Sequence, residues 1–176
     1  PAGRDPAPEL ALSQDDIIRA RQFMVEARRK YPIMIVDAYW DDRGNALCPA
    51  ATGISHHIGP NGDIEPCPPV QFAKENIQDH ESVSNLIQTS DFLRGFREMT
   101  CDSSRGCILL HDPQRLGRYI ADMNARNSSG RTGEAEALLS RDALPCHHIP
   151  GAEIPEKHWL YRFAKKHWFF GFGAYG

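Results

Sequence analysis

The sequence lacks several features that would assign it at once to a class of protein. It has no apolar run near the roughly 20 residues that a transmembrane helix needs, and no charged-then-apolar signal peptide opens it. It has no polybasic stretch, and its formal net charge is -3, so nothing in its charge indicates nucleic-acid binding. An ordinary soluble globular protein in the cytoplasm is therefore the expectation.

Two cysteine patterns are missing as well. No cysteine pair has the C-x2-4-C spacing of a zinc knuckle, and no C-x3-C-x2-C motif occurs. Five cysteines are nevertheless present, an odd number that does not complete a disulfide framework. Metal binding or redox use is the preferred interpretation, and small buried side chains are the alternative. The five are Cys48, Cys67, Cys101, Cys107 and Cys146.

The chain begins with Pro1 instead of methionine, and we expect it to be a piece of a longer protein. Its first predicted element is a helix over residues 13–30, with Ser13 as the N-cap. Arginines lie on other faces of this helix, and a short strand over residues 33–36 should follow it. The face expected to pack carries apolar residues at helical spacing: Ile17, Ala20, Met24, Ala27 and Tyr31.

A β-hairpin is predicted between the first two cysteines. Ile54, His56 and Ile58 alternate as in a strand, and the sequence Gly-Pro-Asn-Gly at residues 59–62 is typical of a turn. A second short strand at residues 63–65 would return the chain, so that Cys67 approaches Cys48.

Helices are predicted further along the chain at residues 82–88, 91–99, 113–123 and 135–139. Their apolar positions suggest core residues, namely Leu86, Phe92, Leu93 and Phe96. The polar, Gly/Ser-rich stretch at residues 124–133 is expected to be a mobile loop.

The C-terminal segment, residues 159–175, is rich in aromatic residues interleaved with lysine and arginine. Three interpretations stay open for it: a helix docked by its aromatic face, a surface for a partner or membrane, or a lid over an apolar substrate pocket.

The cysteines precede or follow turn-forming residues, as ligands of an iron–sulfur cluster often do. Zinc is the main alternative to a cluster, because His111, His147 and His148 supply nitrogen donors. A third interpretation is that the chain binds no metal. The pairs His56-His57 and His147-His148 show no catalytic partner in the sequence and are expected at the surface.

A family pattern bears on these alternatives. Cys48 is followed by thirteen residues, then Gly62, four residues and Cys67. Five residues separate Cys101 from Cys107, and Cys146 follows a proline. In this respect the chain resembles the C-terminal part of a radical SAM enzyme with a SPASM-type auxiliary domain, whose pattern is C-x9-15-G-x4-C, then C-x2-C-x5-C-x3-C, then a final cysteine.

The sequence departs from that pattern at two positions. The first cysteine of the four-cysteine element falls on Glu98, and the fourth falls on His111. The resemblance therefore implies a single [4Fe-4S] cluster, held by Cys101, Cys107, Cys146 and a non-cysteine ligand, or by four of the five cysteines. Glu98 and His111 are the candidate substitutes.

The resemblance also implies an α/β (α+β) fold with three parts. Residues 1–40 would end a partial (β/α) barrel, residues 41–150 would form a hairpin-plus-helices cluster domain, and residues 151–176 would form an aromatic tail. The upstream barrel of the same polypeptide would bind S-adenosylmethionine, which this chain cannot cleave without the C-x3-C-x2-C motif. The substrate, a peptide, a protein or a lipophilic small molecule, is not specified. A zinc-stabilised interaction module with an aromatic docking tail is the alternative from another class.

Overall fold

The computed structural model describes residues 10, 12–35, 37, 40–46, 48–53, 55–103, 106–131, 133–147 and 149–169. Within these residues it combines α-helices with two small antiparallel sheets. This composition confirms the α+β class, and the preceding barrel stays a prediction. No helix in the described ranges combines the length and apolar character of a membrane span. The elements are α1 (Gln14–Lys30), β1 (His57–Ile58), β2 (Ile64–Glu65), β3 (Phe72–Ala73), α2 (Val83–Thr89), α3 (Asp91–Ser103), α4 (Ile108–His111), α5 (Pro113–Asp122), β4 (Arg126–Asn127), α6 (Glu134–Leu139) and α7 (Trp159–Ala164).

The chain divides into two compact units. The first unit comprises Pro1–Pro49, Arg105–Cys107 and Pro145–Gly176, and the second comprises Ala50–Ser104 and Ile108–Leu144. The domain boundaries expected after residues 40 and 150 remain predictions.

In the first unit, α1 has the predicted length and N-cap, because the Ser13 side chain accepts a hydrogen bond from the Asp16 amide. The predicted packing face is confirmed only in part. Ala27 is buried and Ile17, Ala20 and Met24 are half-buried, but Tyr31 is exposed, and the helix also buries Val25, Arg21 and Arg28. Arg21 and Arg28 are buried because they pair with carboxylates from distant parts of the chain. The helical periodicity of α1 gives no information about those partners.

The strand predicted over residues 33–36 is absent from residues 33–35, and Val36 lies outside the described residues. The backbone at this point bonds to side chains and not to a neighbouring strand. The Ile35 amide donates to the Tyr161 hydroxyl at 2.8 Å, and the Ile35 carbonyl accepts from Arg28 at 2.8 Å. Those bonds satisfy the groups that a sheet would otherwise pair.

The segment after α7 also differs from the prediction. Residues Lys165–Phe169 continue α7 as a π-helix. The aromatic residues of the described part differ in setting: Tyr161 packs against the Arg28 guanidinium, 4.6 Å from its ring centre, whereas Trp159 and Trp168 are 71% and 67% exposed. Ala164 and Lys165 are buried. The aromatic residues Phe170, Phe172 and Tyr175 lie outside the described residues.

In the second unit, the predicted hairpin is confirmed with shorter strands. β1 pairs antiparallel with β2, in the register His57 with Glu65 and Ile58 with Ile64. The turn closes with the Gly62 amide donating to the Gly59 carbonyl at 2.9 Å, and Gly62 has φ +86°. Ile54 lies outside the described residues.

The core of the second unit is the predicted one, with Leu86, Phe92, Leu93 and Phe96 all buried. Helices α2, α3, α5 and α6 confirm the predicted segments within a few residues. The loop predicted over residues 124–133 contains a strand, which is a correction. β4 pairs with β3 there, and the Arg126 guanidinium forms an ion pair with Asp63. These tertiary contacts order a stretch whose composition alone indicates a loop.

Candidate metal-binding site

None of the five cysteines forms a disulfide. Cys146 is 4% exposed, and the other four are partly accessible. The first unit contains Cys48, Cys107 and Cys146, and the second contains Cys67, Cys101 and His111. No group of three or more His, Cys, Asp or Glu side chains in the described part of the chain is arranged to hold a metal ion. The predicted ligand set therefore stays a prediction.

The chemistry of the donors fits an iron–sulfur cluster or zinc, because both bind thiolates and both accept imidazole nitrogen. Partly accessible thiols can lose their protons on metal binding. The candidate substitutes differ in setting: Glu98 is exposed on α3, and His111 is exposed in the last turn of α4.

Cys101 lies in the last turns of α3, beside the loop that follows Cys48 in the sequence. Its thiol is 3.8 Å from the Ala51 carbonyl oxygen. One turn earlier, Arg97 packs on Gly53, where an added Cβ would be 2.9 Å from the guanidinium carbon. Gly53 also has φ +71°, a backbone conformation that favours glycine.

His56 lies in the same region of the second unit. Its Nδ1 is fully enclosed and has no hydrogen-bond partner among the described residues. Burial lowers the pKa of His56, and the positive charge of Arg97 lowers it further. This histidine is thus held in its neutral form, and its half-buried setting differs from the surface position expected for it.

His57 has a partner that the sequence did not reveal. Its Nδ1 is 2.6 Å from Glu65 Oε2, and Ser128 Oγ donates to Glu65 Oε1 at 2.5 Å. The Glu65 side chain is 2% exposed, whereas that of His57 is 34% exposed. The cross-strand register His57 with Glu65 could have been read from the predicted hairpin, but Ser128 comes from a distant loop.

The first unit contains a buried cluster of five charged side chains, hereafter the charge cluster: Arg21, Arg28, Asp37, Glu156 and Lys165. Three are cationic and two anionic, which leaves one formal positive charge.

Close ion pairs connect the members of the charge cluster. Glu156 Oε1 lies 2.8 Å from Arg21 Nη1 and 3.4 Å from Lys165 Nζ, and Arg28 pairs with both carboxylates. Lys165 also lies 3.0 Å from Asp37 Oδ1.

The charge cluster shifts the pKa values of two of its members. Burial alone would raise the pKa of Asp37, but Lys165 and Arg28 together hold it below its ordinary value. Burial is also the main reason that the pKa of Lys165 is lowered. Sequence analysis missed this cluster entirely, since its members are spread over residues 21–165 and show no motif.

The five side chains of the charge cluster are buried. The accessible donors among the described residues include the partly exposed thiols and the imidazoles of His57 and His111. Comparisons with protein-family models, with curated proteins and with solved structures gave no match for this chain.

Proposed function

We propose that this chain is the auxiliary-cluster part of a radical SAM enzyme and that its cysteines bind a [4Fe-4S] cluster. The observation that carries the proposal is the hairpin between Cys48 and Cys67. Gly62 lies five residues before Cys67, where the family pattern has its glycine, and it has a positive φ of 86°. A residue with a side chain is strained in that conformation, which gives the glycine of the pattern a physical reason.

The donor chemistry of the five cysteines is the second support. Cys101, Cys107 and Cys146 would hold the cluster together with a non-cysteine ligand, or four of the five cysteines would hold it. A bound cluster supplies one-electron transfer. The residues of this chain would exclude water from it and help to enclose the substrate beside an upstream barrel that binds S-adenosylmethionine.

Anaerobic reconstitution with iron and sulfide tests the proposal. We expect brown protein with broad visible absorbance and about four iron atoms per chain, as the formula of a [4Fe-4S] cluster requires. Replacing Cys107 with Ala should lower bound iron. Replacing His80, an exposed residue outside the proposed ligand set, should leave iron content unchanged. Equal iron in both variants would contradict the ligand assignment.

A zinc-stabilised interaction module is the second candidate. The observation that favours it is the exposed aromatic surface of Trp159, Phe163 and Trp168, next to the exposed basic residues Arg162 and Lys166. Exposed aromatic and arginine side chains are common at protein interfaces. Colourless protein that contains stoichiometric zinc and does not take up iron and sulfide would favour this candidate.

A further inference from the structure

The C-terminal segment of the first unit carries aromatic and basic side chains at the surface. Trp159, Phe163 and Trp168 are all exposed, and the rings of Phe163 and Trp168 meet edge to face with their centres 5.4 Å apart. The exposed cations Arg162 and Lys166 lie between the two tryptophans in the sequence. These five side chains are hereafter the aromatic–basic patch.

Other side chains of the same segment fix it to the rest of the first unit. The Tyr161 hydroxyl accepts a hydrogen bond from the Ile35 amide at 2.8 Å, and Lys165 Nζ lies 3.0 Å from Asp37 Oδ1 in the charge cluster. Ala164 is buried beside Lys165. The segment cannot turn its exposed rings inward without breaking these contacts. The exposure of the aromatic–basic patch is therefore a property of the fold and not of a loose tail.

The segment is positively charged on a chain whose formal net charge is -3. From residue 157 to residue 176 the sequence contains four lysine or arginine residues and no Asp or Glu. Glu26, a carboxylate that contacts the start of the segment, is already paired with Lys157 at 2.5 Å and with Arg29 at 3.3 Å. Charge complementarity therefore requires an anionic partner.

The composition of the patch favours a lipid surface over an acidic protein. Lysine is depleted in protein interfaces, whereas helices that lie on membranes combine Trp, Phe or Leu with Lys and Arg. Tryptophan is also enriched where a bilayer meets water. Further apolar side chains lie beside the segment, since Ile33 and Met34 are exposed and the Ile33 carbonyl accepts from the Tyr161 hydroxyl at 3.3 Å.

We propose that the aromatic–basic patch binds the surface of an anionic phospholipid bilayer. The rings of Trp159, Phe163 and Trp168 enter the headgroup region, and Arg162 and Lys166 pair with the anionic groups of the lipids. The segment lies in the interface between lipid and water. This inference uses none of the cysteines and is independent of the proposed function.

The experiment uses the whole chain and two kinds of vesicle, phosphatidylcholine alone and phosphatidylcholine mixed with phosphatidylserine. Co-sedimentation measures the affinity, and tryptophan emission with acrylamide quenching reports the insertion of the rings. The basic variant carries Arg162→Gln and Lys166→Gln, and the aromatic variant carries Trp159→Ala and Trp168→Ala. Circular dichroism checks the folding of each.

A matched control separates the patch from the total charge. The control variant carries Arg118→Gln and Arg141→Gln, which remove two exposed cations from the second unit. Its net charge changes by the same amount as that of the basic variant.

The expected results follow from the assigned roles. The wild type should bind the mixed vesicles far more tightly than phosphatidylcholine alone, and added salt should weaken the binding. Each basic side chain at an anionic surface contributes a factor of about five, so the basic variant should bind about 30-fold more weakly. The control variant should keep the wild-type affinity. Binding should shift the tryptophan emission to shorter wavelength and reduce quenching, and both changes should disappear in the aromatic variant.

Several results would overturn the inference. These are a lack of affinity for the mixed vesicles, equal losses in the basic and control variants, and binding that leaves the tryptophan emission unchanged. A protein that does not bind vesicles but dimerises, with the dimer lost in the aromatic variant, would assign the patch to a second copy of the chain instead. Iron uptake by the basic variant should equal that of the wild type, so a failure of this inference and a failure of the cluster proposal are seen separately.

Discussion

Arg28 and Glu156 lie 128 positions apart in the chain and form an ion pair in which neither side chain keeps any exposed surface. Glu156 also pairs with Arg21, so one carboxylate bridges two guanidinium groups, and Asp37 supplies the second negative charge. Buried charges are tolerated only when they are paired. This pairing explains how α1 can fold with two buried arginines.

Replacing Glu156 with Gln should destabilise the first unit. The substitution leaves Arg21, Arg28 and Lys165 facing Asp37 alone, and breaking a buried ion pair costs about 3–5 kcal/mol. The measurement is urea unfolding followed by circular dichroism.

Glu26→Gln is the matched control for that substitution. Glu26 pairs with Lys157 and Arg29 in half-exposed positions, and exposed pairs contribute about 0–1 kcal/mol. Equal losses in the two variants would show that burial of the charge cluster has no energetic consequence.

Acid should weaken the first unit through Asp37. Its folded pKa lies below the ordinary value of 3.8, so the ionised carboxylate contributes its full stabilisation above pH 3.8. That stabilisation is lost as the pH falls from 3.8 through the lower folded value. The free energy of unfolding, measured by denaturant titration between neutral pH and pH 2.5, should therefore fall in this window.

Asp37→Asn should be less stable than the wild type at neutral pH, and its free energy of unfolding should fall less as the pH is lowered. A variant with the same pH profile as the wild type would contradict the assignment.

Gly62→Ala should distort the hairpin. Gly62 has φ +86°, and an added Cβ would lie 2.8 Å from Asn76 Oδ1. Gly130 is the matched control, since it has φ +69° but open space around its Cα. Gly130→Ala should cost about 1 kcal/mol of backbone strain, and Gly62→Ala should cost more because the clash adds to the strain. Thermal unfolding measures both. An equal loss in the two variants would place Asn76 further from the turn than the structure has it.

The three tryptophans should report the orientation of the C-terminal segment. Trp40 is buried, whereas Trp159 and Trp168 are largely exposed. Acrylamide should therefore quench most of the tryptophan fluorescence and leave a protected fraction. That fraction should disappear in Trp40→Phe. If the emission of Trp168 is protected instead, the aromatic face of the segment is covered.

Local signals were sufficient for the regular elements. The Ser13 cap predicted α1 to within one residue, and the alternation before Gly59 predicted the hairpin together with its turn. The core positions of α2 and α3 followed from apolar spacing along each helix. In each case the sequence signal lies within the element or beside it.

The predictions that failed have a common physical cause: the elements concerned depend on partners that are distant in the sequence. Arg21 and Arg28 are buried only because Glu156 reaches them, and β4 forms only because β3 offers a free edge. At the candidate site, the hairpin supplied His57 and Glu65, but the bond from Ser128 comes from 63 residues away from Glu65. Whether the cysteines converge depends on contacts of the same long-range kind.

The charge cluster also sets an order of events during synthesis. Val25 and the two arginines of α1 leave the ribosome long before Glu156 and Lys165, so the guanidinium groups of α1 stay hydrated in the meantime. The interior of the charge cluster can close only when the last of these side chains has been made. Until then, the inner face of α1 is exposed to water.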